Sequence, residues 1–213
     1  YLGTYPASFT WNGRQYTPRS FADQVMQIVP DDYVMLSSFT HHPFYSGFVL
    51  EVPDNWDFGR VHNVPLAELM ETLEYAIDHG FTVAWASDIS EHGFNFKKGI
   101  AVVPEKDWDD MEKTERDSVF LVPVAEKTIT QEMRQKAFDN HMTTDDHGMH
   151  IVGVAEDRNG TKYFYVKNSW GVKSSRYDGY FYASEAFVAY KTMSILLHRD
   201  AVPPAVRAKL ELK

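Results

Sequence analysis

From Asn63 onward the hydrophobic positions keep a helical beat. Leu66, Leu69, Met70, Leu73, Ala76 and Ile77 recur at intervals of three and four and stop at Gly80, which predicts a helix over 65–79. Asn63, just ahead of Pro65, is the expected cap. A second helix is expected over 128–142, with Thr130 near its start, and a short one over 184–190. Between them the pattern switches to apolar runs and alternation. Strands are predicted at 81–87, 99–104, 148–155, 162–168, 179–183 and 192–198.

The first 63 residues are less regular. A short helix capped by Thr17 or Ser20 should end near Val29, and two strands should flank the loop Thr40–Gly47. Residues 105–127 are charged and read as a solvated excursion; the tail 201–213, with two prolines, shows no core face. A helix followed by a run of mostly antiparallel strands predicts an α+β unit with a barrel-like sheet.

Composition narrows the function classes. The 213 residues are 44% hydrophobic and 15% aromatic, enough for a substantial core. A net charge of -9 argues against nucleic acid and against an anionic membrane surface as partners. There is no cysteine, so disulfides and thiolate zinc sites are excluded within these residues. The start at Tyr1, without methionine or leader, reads as the interior of a longer chain.

The chemistry gathers in one stretch, DDHGMHIVGVAEDRNGTKYFYVKNSWG over 145–171. Asn159-Gly160 is a strong hairpin signal, and the flanking strands bring His147 and Asn168 to the same end. A two-residue loop there pairs positions summing to 319, which sets Asn168 opposite Ile151 and His147 opposite position 172. A wider loop or a bulge must close that gap for the two side chains to meet. An imidazole acting as a base has to be held in one tautomer, and an amide oxygen can do this without adding a charge. Trp170 could cover the bond between them. His141, Asp145, Asp146, His147 and His150 are near one another in sequence, but strand alternation sends His147 and His150 to opposite faces, so no metal site is expected. No cofactor is expected either.

DHGMHIVGV resembles the catalytic-histidine segment of the papain superfamily of cysteine peptidases, YFYVKNSWG its asparagine segment, and DGYFYAS the strand that follows. FTWNGRQYTPRSF, SSFTHHPFYSGFVLEVPDNW, NVPLAELMETLEYAIDHGFTVAWASDIS and VPPAVRAKL are similar to the bleomycin hydrolase and aminopeptidase C branch, so the resemblance runs almost end to end. It implies a papain-like fold of which this is the histidine- and asparagine-bearing half, without the amino-terminal cysteine helix. It also implies 1–63 as part of a branch-specific insertion, 64–198 as the histidine/asparagine domain and 199–213 as a tail near the cleft, ending at Lys213. His147, rather than His150, takes the catalytic place because Gly148-Met149 follow it; Asn168 takes the orienting place, and Trp170 supports both. The implied partners are peptide substrates, the missing half with its cysteine, and further copies of the parent in a homo-oligomer; the branch favours a cytoplasmic compartment. The fragment alone is expected to be inactive. The rival readings are a non-catalytic relative acting as a binding or assembly module, and a natural subunit that completes its site with another chain.

Overall fold

The computed structural model describes residues 3–212, which form two compact units divided between Tyr33 and Val34. In the first unit, strands β1 (Phe9–Trp11) and β2 (Arg14–Tyr16) make a hairpin. Asn12 and Gly13 turn it with both φ values positive, 47° and 76°, as a two-residue hairpin loop requires. Helix α1 (Pro18–Phe21) begins on a capping box between Thr17 and Ser20 and continues as a π turn, Ala22–Met26. It ends at Gln27 in the left-handed region, two residues short of the Val29 expected. Phe21 packs on Phe9, Trp11 and Tyr16 at ring separations of 5.2–5.5 Å.

The second unit is built on ten strands: β3 (Tyr33–Ser37), β4 (Gly47–Val49), β5 (Arg60–Asn63), β6 (Val83–Ser87), β7 (Phe94–Asn95), β8 (Ile100–Ala101), β9 (His147–Glu156), β10 (Lys162–Lys167), β11 (Tyr180–Ser184) and β12 (Thr192–His198). They lie in the order β4-β5-β3-β12-β6-β9-β10-β11-β8-β7. The sheet is open, not barrel-like. Its ends are β4 and β7, three and two residues long, and no pairing joins them among the described residues. It is also mixed, since β3 with β5 and β8 with β11 run parallel.

Helix α2 (Leu66–Asp78) lays the predicted stripe, Leu66, Leu69, Met70, Leu73 and Ala76, into the main core with Val83, Trp85, Ile151 and Phe164. Each such large apolar side chain contributes about 1.5–3 kcal/mol on full burial. Asn63 does not cap this helix. It is fully buried, and its amide bonds Phe39 N, Phe39 O, His42 O and Pro43 O, folding the loop after β3 back on itself. The donor at the helix start, Leu66 N, instead meets Gln131 Oε1 at 2.7 Å. Gln131 opens helix α4 (Gln131–Asp139), which is capped by Thr130 as expected.

The excursion 105–127 is only partly solvated. It carries helix α3 (Lys113–Ser118) and packs Met111 and Val119 on Val102 and Tyr163. Helix α5 (Glu185–Lys191) links β11 to β12. The tail has a core face after all: Pro204 starts helix α6 (Pro204–Lys209), and Val202, Val206 and Leu210 are buried. Val206 and Leu210, four apart, share one side of the turn, Val202 enters the core from the extended backbone ahead of it, and proline at the first helical position fixes φ. Lys213 lies outside the described residues.

Candidate active site

His147 is the first residue of β9 and faces Ser87, the last residue of β6. Asn168 follows the last residue of β10, with its N–H donating to Gly179 O at 3.0 Å. The connection between these strands is wider than the two-residue turn expected, running from Asp157 to Thr161. Asp157 Oδ1 accepts from Asn159 N and Thr161 N, and Gly160 takes φ 82°, so a side-chain cap holds the wide turn. From Lys162↔Glu156 to Tyr165↔Gly153 the paired positions sum to 318, and then a bulge at Tyr165/Val166 drops the sum to 317. Continued to the strand ends, that register sets Asn168 opposite Met149 and Trp170 opposite His147. Cross-strand partners share a face, so the bulge puts His147, Asn168 and Trp170 on the same side.

The side chains meet. His147 Nε2 and Asn168 Oδ1 are 2.8 Å apart, and the same oxygen accepts from Ser169 N at 2.7 Å. Two donors on one oxygen fix the amide orientation, and the imidazole then carries its proton on Nε2. Nδ1 has no hydrogen-bond partner among the described residues, which leaves it as the nitrogen able to take or give a proton. The Trp170 ring lies 5.1 Å from His147, tilted 38°, and is held by edge contacts with Phe94 and Phe96. Asn168 is 5% exposed and Trp170 47%, so the bond is sheltered while the indole has an open side. A Cβ added to Gly148 would meet no atom within 4 Å, so β9 is open at that point on the face opposite His147. His150 is exposed and bonds Thr82 Oγ1 at 2.7 Å, away from this group.

The chain leading into His147 is laced to the loop after β6. Asp146 accepts from Ile89 N at 3.3 Å, Ser90 N at 3.0 Å and Thr144 Oγ1 at 2.7 Å. Burial raises its pKa, but the hydrogen bonds from Ser90, Thr144 and Asp88 outweigh that and bring it down to about 2. Asp88, 3% exposed, is pushed up to about 6, first by burial and then by Asp146 and Glu91, against the opposing pull of the Thr144 N–H and Lys191. Alternation along β6 could not reveal Asp88, which lies one residue beyond the strand. A cavity of about 610 Å³ opens alongside, lined by His41, Phe138 and three carboxyls, Glu51, Asp139 and Asp145. Burial, Asp54 and Asp146 push Asp145 up to about 6.

The group as a whole holds a base, an orienting amide and an aromatic cover. The 213 residues offer no thiol for the base to activate.

Known proteins resemble this chain over most of its length. Aminopeptidase G of Lactobacillus delbrueckii subsp. lactis is 24% identical over 189 residues, which are 87% of this chain and 40% of that protein. The crystal structure of PepW from Lactobacillus rhamnosis superposes with a TM-score of 0.72 at 19% identity, covering 99% of this chain and 47% of that one. The chain therefore spans less than half the length of both, and it shares the papain-like fold with the second. The model of the Peptidase C1-like family matches residues 10–213, and the chain belongs to that family.

Proposed function

We propose that this chain supplies the histidine and asparagine of a papain-like cysteine aminopeptidase whose nucleophilic cysteine lies outside residues 1–213. The observation that carries the reading is the His147 Nε2–Asn168 Oδ1 bond, which leaves Nδ1 without a hydrogen-bond partner among the described residues. A thiol meeting Nδ1 gives up its proton to the imidazole, and the resulting ion pair keeps it a thiolate. The thiolate attacks the scissile carbonyl, and His147 returns the proton to the leaving amine as the C–N bond breaks. Water then attacks the acyl-enzyme, giving its proton to His147, and the thiolate leaves. Asn168 keeps the ring in one orientation through both half-reactions. Lacking the thiol, the chain alone does not cut peptides. The aminopeptidase preference rests on the likeness to Aminopeptidase G.

The test is the hydrolysis of aminoacyl anilides by the cysteine-bearing protein, its His147→Ala variant and residues 1–213 alone. Turnover should be confined to the first. Turnover by the alanine variant or by the isolated chain refutes the assignment. A cysteine-bearing protein inert on all peptides would favour the alternative reading, a binding or assembly module, which the absence of cysteine from these residues supports.

A further inference from the structure

We propose that Asp88 is a positioning residue for His147, holding through Thr144 and Asp146 the segment of chain that ends on the imidazole. The proposal rests on reading His147 as the base. The β6–β9 ladder stops at the Ser87↔His147 pair, so the base sits where a strand would fray. Beyond that pair the backbone ladder gives way to side chains. Asp88 Oδ2 accepts from Thr144 N at 3.0 Å and Oδ1 from Ser90 N at 2.9 Å. Asp146 reaches across in the other direction to Ile89 N and Ser90 N. Residues 88–90 and 144–146 are thus tied by bonds running both ways, immediately before the histidine.

The two carboxyls share one donor, Ser90 N, at 2.9 Å from Asp88 Oδ1 and 3.0 Å from Asp146 Oδ2, so they lie close together and a proton on one of them relieves their repulsion. Asp88 is its holder. It is the buried member of the pair, and burial favours its neutral form, whereas Asp146 has several donors that favour its charged one. The other charged groups facing this pair are Asp145, Glu91 and Lys191. Lys191 is 2% exposed and turns its ammonium to Glu91, Met142 O and Thr143 Oγ1, so it braces the neighbouring turn without neutralising Asp88 outright. Asp88 N and Ser87 Oγ both donate to Lys191 O, which fixes the carboxyl's own backbone. When Asp88 loses its proton the pair becomes two like charges on one donor, and the lacing loosens at the step before the base.

NMR on the 213-residue chain tests this without depending on catalysis. The readouts are the cross-peaks between the His147 and Trp170 rings and the amide shifts of Ser90 and Thr144, with the β12 amides as a control on the fold. Asp145, next to Thr144, is also raised to about 6, so every protein tested carries Asp145→Asn. In that background the two amides should shift with an inflection at about pH 6, and the ring cross-peaks should weaken over the same interval. Asp88→Asn can still donate to Asp146 and accept one amide, so it should keep the cross-peaks and abolish the inflection. Asp88→Ala should lose the cross-peaks while the β12 pattern stays. Full-strength cross-peaks in the alanine variant, or an inflection that survives in the asparagine variant, overturn the proposal. If the alanine variant does not fold, the asparagine variant decides alone. A positive result beside an inactive cysteine-bearing protein would sink the peptidase reading and leave the clamp standing.

Discussion

Arg134 is fully buried, with no carboxylate beside it. Its Nε donates to Ser38 O at 2.7 Å and its Nη1 to Ala189 O at 3.1 Å and Tyr190 O at 3.4 Å, while the guanidinium lies 4.5 Å from the centre of the Phe39 ring. Two of these carbonyls belong to the last turn of α5, where the helix has no donors of its own and its dipole favours a cation. Even so, Nη2 has no partner, and burial pushes the group's pKa down to about 9. Methionine at this position removes the charge along with its bonds. Ser38 O keeps Gln131 Nε2 at 3.3 Å, so the loss falls on the α5 terminus. One buried carbonyl left short costs about 1–3 kcal/mol and the lost cation–π contact about 1–2, offset by relief of the desolvated cation. The net loss should be about 1–3 kcal/mol. Lysine retains a buried charge, a more strongly hydrated one, and its single ammonium cannot bridge β3 and α5, so the loss should be about 3–5 kcal/mol. Urea unfolding measures the difference, expected as a midpoint about 1 M lower for Arg134→Lys than for Arg134→Met. The deficit of the lysine variant should shrink toward pH 9, as a buried lysine sheds its proton. A lysine variant as stable as the methionine variant would refute the reasoning that desolvation, not donor geometry, separates the two.

In the cysteine-bearing protein, Asn168→Ala should lower kcat about 10–100-fold with KM nearly unchanged, because His147 Nε2 loses its sheltered acceptor at a cost of about 1–3 kcal/mol; an unchanged kcat contradicts the orienting role. Asp145, with its pKa raised to about 6, favours its protonated form in the folded state. It therefore contributes stability that is fully present below about pH 4 and is lost as pH rises through about 6. Asp145→Asn should flatten the fall in Tm between pH 4 and 7; an unchanged slope contradicts it.

The elements whose burial repeats with one period were legible. The face of α2 buries a helical set of apolar residues and β6 and the start of β9 an alternating one, sets that can be read without neighbours, while β10 and β12 showed as apolar runs. Asn63 was misread because a cap and a loop staple ask for the same side chain; only the arrival of Gln131 from α4 shows which is needed. The tail hid its face because only Val206 and Leu210 belong to the helical turn and Val202 precedes it in extended backbone, too short a sample for a period. His147, Asn168 and Trp170 were legible as residue types with a spacing, but the bulge that brings them together was not. Nothing in Tyr165-Val166 distinguishes a bulged pair from a regular one. Asp88 escaped because its partners are two loops, and loops carry no pattern.

The bulge at Tyr165/Val166 also limits how this sequence can vary. The turn at 157–161 lies outside the last pair, Glu156 with Lys162, so a residue gained or lost there changes only the loop. Because β9 and β10 are both tied to further strands, the pairs themselves stay where they are. A residue gained between Lys162 and Asn168 has no such outlet: it must enter a bulge or turn Asn168 and Trp170 to the face opposite His147. Among relatives, the length of the turn should drift freely, whereas the count from the last pair to the asparagine should change only together with a bulge.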